Sequence, residues 1–83
     1  MTADAVLQRT RAYITENFLY MRKDLQLGDA DSLLERGVID SMGVMELVQF
    51  LEKEFGIHVQ DDDITEENLG TLAAIAKYVA GKG

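Results

Sequence analysis

The sequence predicts an all-α fold: a small four-helix bundle, with three main helices, one short helix, and a long ordered loop between helices 1 and 2. Three observations carry that prediction. Apolar residues recur at helical spacing in three stretches, no stretch alternates at period two for long enough to make a strand, and the chain contains no proline. The 83 residues form one domain, 1–83, close to the size at which a single core must be packed economically.

The first helix is expected from Ala3 to about Tyr20. Ala3, Val6, Leu7, Tyr13, Ile14 and Phe18 form its inward stripe, with Arg9, Arg11 and Glu16 off it. Between Met21 and Asp40 the periodicity fails. The run GDADSLLERGVID mixes turn formers with Leu33, Leu34, Val38 and Ile39, so it reads as an ordered loop whose apolar residues plug the core, with a short helical turn near Ser32 to Arg36.

The second helix is expected from Ser41 to Phe55. Asp40 is its N-cap candidate, Val44, Leu47, Val48, Leu51 and Phe55 its inward stripe, and Gly56 its C-terminal stop. Glu46, Gln49, Glu52 and Lys53 make the solvated face. One feature is out of character: Ser41 and Gly43 are weak helix formers placed at the start of an otherwise strong helix. The segment IHVQDDDITEENL then gives a short connection with one helical turn around Glu66 to Leu69. A last helix runs from Thr71, its cap, to about Ala80, with Leu72, Ile75, Ala76 and Val79 inward.

Composition limits the chemistry. Apolar residues are 47% and charged residues 28%, which suits a folded soluble domain. No apolar run approaches the roughly 20 residues that span a bilayer. The start MTADAVLQRTRAY has no charged head, apolar block and cleavage site, so a cytoplasmic location is expected. Without cysteine there is no disulfide, thiolate metal site or thioester-forming side chain. The net charge of −7 argues against nucleic acid and anionic membrane as partners and favours a basic protein surface.

Ser41 is the first candidate site. At a helix start it lies among unpaired N–H groups and the positive end of the dipole, where a phosphate is favoured. On spacing alone the commoner reading is a solvent-exposed serine behind an Asp cap. Nucleophilic catalysis is disfavoured, since the only histidine, His58, lies past the far end of a helix about 22 Å long. No catalytic residue is expected.

Acids crowd the span from Asp40 to Glu67, which holds nine of them against Lys53 alone. A run of charge is commonly just a solvated face, but here it surrounds Ser41 and reads equally as a docking surface. It does not make a calcium loop: counting from Asp29 the fifth and sixth places are Leu33 and Leu34, and from Asp61 they are Thr65 and Glu66. No metal site is expected, although weak divalent binding is compatible with the acids. His58 reads as a loop or partly buried histidine. Met42 and Met45 flank Ser41, where flexible apolar side chains either meet a partner or cover the core, and Met42 is the better partner candidate.

The segment GVIDSMGVMELVQFLEKEFGI resembles the loop, Asp-Ser signature and second helix of acyl carrier proteins, and the similarity extends over nearly the whole chain through the final LAAIAKYV. The resemblance implies that Ser41 carries a covalent 4′-phosphopantetheine, that Asp40 borders the attachment site, and that Met42, Glu46 and Glu52 contact basic partners. Such a carrier catalyses nothing. It holds an acyl intermediate as a thioester and shuttles it between enzymes of fatty-acid, polyketide or other secondary-metabolite biosynthesis. Implied partners are a phosphopantetheinyl transferase, an acyl- or aminoacyl-loading ligase, and synthases or transferases with basic docking surfaces, met by a monomer.

Gly43, Gln49 and Lys53 depart from the residues common in fatty-acid carriers, and Asp-Ser-Met-Gly is similar to D-alanyl carriers, so an aminoacyl cargo is an alternative reading. An unmodified helical adaptor that binds through its acidic face is another. Phe50, beside Leu51 and three residues from Leu47, stands where fatty-acid carriers usually have a small residue. Its ring is expected to fill the space that would admit an acyl chain, which points to a short, polar or aminoacyl cargo held outside the bundle.

Overall fold

The computed structural model describes residues 2–19 and 27–82. Among them are four helices, three long and one short, and no strand. Helix α1, Ala3–Phe18, starts where the Thr2 hydroxyl accepts from the Ala5 N–H at 3.2 Å, with Asp4 in the first turn against the positive end of the dipole. Its expected extension to Tyr20 falls partly outside the described residues. Val6 and Ile14 are fully buried and Leu7, Tyr13 and Phe18 half-buried, but Ala3, in the first turn, is exposed.

Thr10 takes a place in that core instead, fully buried with its hydroxyl unpartnered. Helix α1 packs closely along the last helix, α4, Leu72–Lys82. The expected inward residues of α4, namely Leu72, Ile75, Ala76 and Val79, are all buried, and Thr71 caps the helix by accepting from the Ala74 N–H at 3.0 Å.

Helix α2 is Ser41–Phe55, as the pattern predicts, and Gly56 ends it at φ 65, a left-handed conformation costly for other residues. Leu47, Val48 and Leu51 are buried, while Val44 and Phe55 at the ends of the stripe are only partly so. The acidic connection forms a 3-10 turn over Asp61–Asp63, which the sequence did not signal, and the short helix α3, Glu66–Leu69, capped by the Thr65 hydroxyl.

The loop before α2 does plug the core: Leu27, Leu33, Val38 and Ile39 are buried. The expected turn is present, with the Arg36 N–H donating to the Ser32 carbonyl at 3.0 Å and the Val38 N–H to Leu33 at 2.9 Å. Leu34 is a correction. It sits on this tight turn and is 46% exposed, whereas its neighbour Leu33 is buried, because the turn leaves the Leu34 side chain at the surface.

The loop is sewn to the junction of α3 and α4 by backbone hydrogen bonds, Leu33 N–H to the Gly70 carbonyl at 2.8 Å and Ala73 N–H to the Asp29 carbonyl at 3.0 Å. Arg11 of α1 reinforces it, donating to the Leu27 carbonyl at 2.7 Å and pairing with Asp29. These ties hold the approach to α2 in place. No helix among the described residues is long and apolar enough to cross a membrane.

Candidate functional site

Ser41 is the first residue of α2 and is exposed. Behind it, the exposed Asp40 folds its carboxylate back onto the helix start, where Oδ1 accepts from the Gly43 N–H at 2.8 Å. That cap uses one of the N–H groups that a helix start leaves without intrahelical partners, and those of Ser41 and Met42 are the next in line. A phosphoryl group on the Ser41 oxygen would therefore stand at the positive end of a 15-residue helix with N–H groups beside it.

Ser32, the other serine of the chain, is in a different situation. Its hydroxyl donates to Glu66 Oε1 at 2.7 Å and accepts from the Glu35 N–H at 3.3 Å.

The surface around Ser41 is apolar at its centre. Met42 is 78% exposed, Met45 49% and Leu34 46%, and these are the exposed large hydrophobic residues among those described. Beside Ser41 opens a cleft of about 260 Å³. Val44 and Met45 of α2 form one wall, Leu33, Leu34 and Ile39 of the loop a second, and Ile64 and Leu69 a third, with Ser41, Thr65 and Glu66 the polar members of the lining.

The structure answers why a glycine stands in the first turn of α2. A Cβ at position 43 would lie 2.5 Å from Ile39 Cγ1 and 3.1 Å from Phe18 Cε1, so a side chain there would collide with both the loop and the end of α1. Gly43 is buried, and its missing side chain lets those two elements close onto the helix. The sequence signal was available: a glycine inside a helical pattern commonly marks close packing.

Phe50 does not line the cleft, which corrects the expectation that its ring blocks the space for a cargo. It turns to α1 instead, where it stacks on Tyr13 and meets Phe55 edge-on at 5.9 Å. Burial, and then the negative charge of Glu46, push the Tyr13 phenol above its ordinary pKa.

The two acids expected at the docking face separate. Glu46 is exposed. Glu52 is half-buried, its Oε2 accepting from the Val59 N–H at 2.9 Å with His58 Nδ1 3.3 Å away. It holds the chain after α2 in place, so it does not belong to a free solvated face. His58 itself is 81% exposed, on the loop side of its two expected states.

Asp63 is similarly committed, accepting from the Tyr78 hydroxyl at 2.7 Å and facing Lys82 Nζ at 3.6 Å. No group of three or more potential metal ligands is gathered among the described residues.

Residues 17–79 match a family model described as a phosphopantetheine attachment site. The matched span includes the whole of α2, the loop before it and the cleft.

Proposed function

Because this chain belongs to the phosphopantetheine attachment-site family, whose domain takes 4′-phosphopantetheine covalently, we propose that Ser41 is the residue modified and that the cargo is an apolar acyl group. The observation that carries the proposal is the placement of one exposed serine hydroxyl, at the amino end of α2, on the edge of an apolar cleft. When bound, the prosthetic arm supplies a terminal thiol that holds an acyl group as a thioester, which no side chain of this cysteine-free protein can do.

The protein's own residues present and shelter. Ser41 Oγ forms the new O–P bond as the phosphoanhydride P–O bond of the arm's nucleotide donor, bound by the transferase, breaks and the nucleotide phosphate leaves. Asp40 holds its carboxylate on the Gly43 N–H and His58 lies past the other end of α2, so the base that removes the serine proton comes from the phosphopantetheinyl transferase. Asp40 fixes the helix start on which Ser41 stands. Met42, Met45 and Leu34 offer an apolar centre and Glu46 an acidic rim to partners with basic docking surfaces. The chain performs no chemistry of its own in this role.

The cleft favours acyl over aminoacyl cargo. An apolar tail gains on leaving water for walls of Leu33, Val44, Ile64 and Leu69, whereas an ammonium group loses hydration there. Incubation with a phosphopantetheinyl transferase should add the mass of one arm, map to Ser41, and fail with Ser41→Ala. Loading with acyl chains and with D-alanine should then move the amide signals of Leu33, Val44 and Leu69 for the acyl forms alone. A group mapped to Ser32, or D-alanine shifts equal to those of the acyl chains, overturns the respective half of the reading.

A further inference from the structure

Gly43 bears on the cleft as well as on packing. Ile39 is a wall of the cleft, and its Cγ1 lies where a side chain at 43 would begin, 2.5 Å from the position of a Cβ. Phe18 blocks the second direction at 3.1 Å and the Asp40 cap oxygen a third at 3.4 Å. The loop carrying Ile39 is anchored at both ends, by the Asp40 cap on one side and by the Val38 and Leu33 hydrogen bonds on the other. Ile39 N–H itself donates to the Leu33 carbonyl at 3.3 Å. With its backbone held, Ile39 can yield to an added methyl chiefly by moving its side chain, and that side chain borders the cleft.

We propose that Gly43 is the specificity-determining residue of the cleft: by lacking a side chain it lets Ile39 lean on the helix backbone and keeps open the end of the cleft nearest Ser41. It acts through Ile39 and touches no cargo. The proposal rests on the acyl-carrier reading given above. Protein interiors have few voids in which a displaced side chain can be accommodated, so a volume change of one methyl group at 43 is transmitted to the neighbouring wall.

The test uses the full chain, modified at Ser41 and loaded with saturated acyl groups of increasing length. The amide shifts of Leu33 and Leu69 in wild type should grow with chain length and then level off. In Gly43→Ala they should level off at a shorter chain, and in Gly43→Ala/Ile39→Val, where Cγ1 still shifts but no longer carries a Cδ1 methyl toward the cleft, the wild-type limit should return. Ile39→Val alone, which leaves Gly43 in place, should extend the limit to a longer chain and serves if Gly43→Ala does not fold.

A general loss of packing would not be restored by trimming one neighbour, so the rescue separates shaping of the cleft from support of the fold. The same limit in Gly43→Ala and wild type, a limit that trimming Ile39 does not restore, or an unchanged limit in Ile39→Val each overturns the proposal. Failure of the carrier reading looks different, because the wild type would then take no prosthetic group or show no length-dependent shift at all.

Discussion

Tyr13 and Phe50 stack with ring centroids 4.0 Å apart and planes 12° from parallel, joining α1 to α2 on a side of the bundle away from the cleft. Phe50→Ala should therefore cost stability, about 2–3 kcal/mol for a half-buried ring with an aromatic partner, and leave the acyl-length limit unchanged. Urea denaturation and the loaded-protein amide shifts check the two halves. A longer limit in Phe50→Ala would return the ring to the cleft.

Adjacent residues at the start of α2 should respond in opposite ways. Asp40→Ala removes the cap on the Gly43 N–H and should lower stability by about 1 kcal/mol, while Ser41→Ala, at an exposed position, should change it by less than about 0.5 kcal/mol. Thermal unfolding of the two variants gives the comparison, and modification should vanish only in Ser41→Ala.

Glu46 and Glu52 should likewise part. Glu46→Lys should slow modification through association, and the wild-type rate should fall with added salt as charges are screened over about 8–10 Å. Glu52→Ala should instead lower stability, by about 1–2 kcal/mol, because the Val59 N–H loses its acceptor. Salt-independent kinetics would assign docking to Met42, Met45 and Leu34.

Thr10→Val should stabilise the protein by about 1 kcal/mol, since the side chains are nearly the same shape and the buried hydroxyl has no partner. A lower melting temperature would show that the hydroxyl is satisfied in solution.

The Tyr78 phenol is pushed up to about 12, by burial first, then by its hydrogen bond to Asp63 and the charges of Asp63 and Glu52. Being raised above its ordinary 10.0, it contributes stability that is whole below pH 10 and is lost as the pH climbs through about 12. Tyr78→Phe should be less stable than wild type at neutral pH and should lack that decline. Unfolding midpoints across the alkaline range measure the difference.

The bounds of α2 were legible in the sequence because both ends carry local chemistry, an aspartate that caps and a glycine that stops the helix. The buried stripe of α4 was legible for a related reason, four apolar residues at helical spacing. Thr10 was not, because a polar residue reads as outward-facing and only the approach of another helix buries it. Leu34 was misread because loops have no period from which to tell inside from outside.

At the site, Ser41 and Asp40 could be placed from the helix start alone, whereas the roles of Phe50 and Glu52 depend on contacts with distant or backbone groups. Periodicity puts Phe50 next to the core stripe without saying which element it meets, and the acceptor role of Glu52 toward Val59 N–H has no side-chain signature.

The backbone bonds from Leu33 to Gly70 and from Ala73 to Asp29 have a consequence for transplanting this loop between related proteins. They make residues 29–33 and 70–73 two halves of one seam, though about forty positions separate them in the chain. A chimera that imports the loop alone would bring donors and acceptors cut for a different edge, and an insertion on either side would slide the halves out of step. The exchangeable unit is the seam, so a swap intended to alter what Ser41 serves must carry both of its halves together.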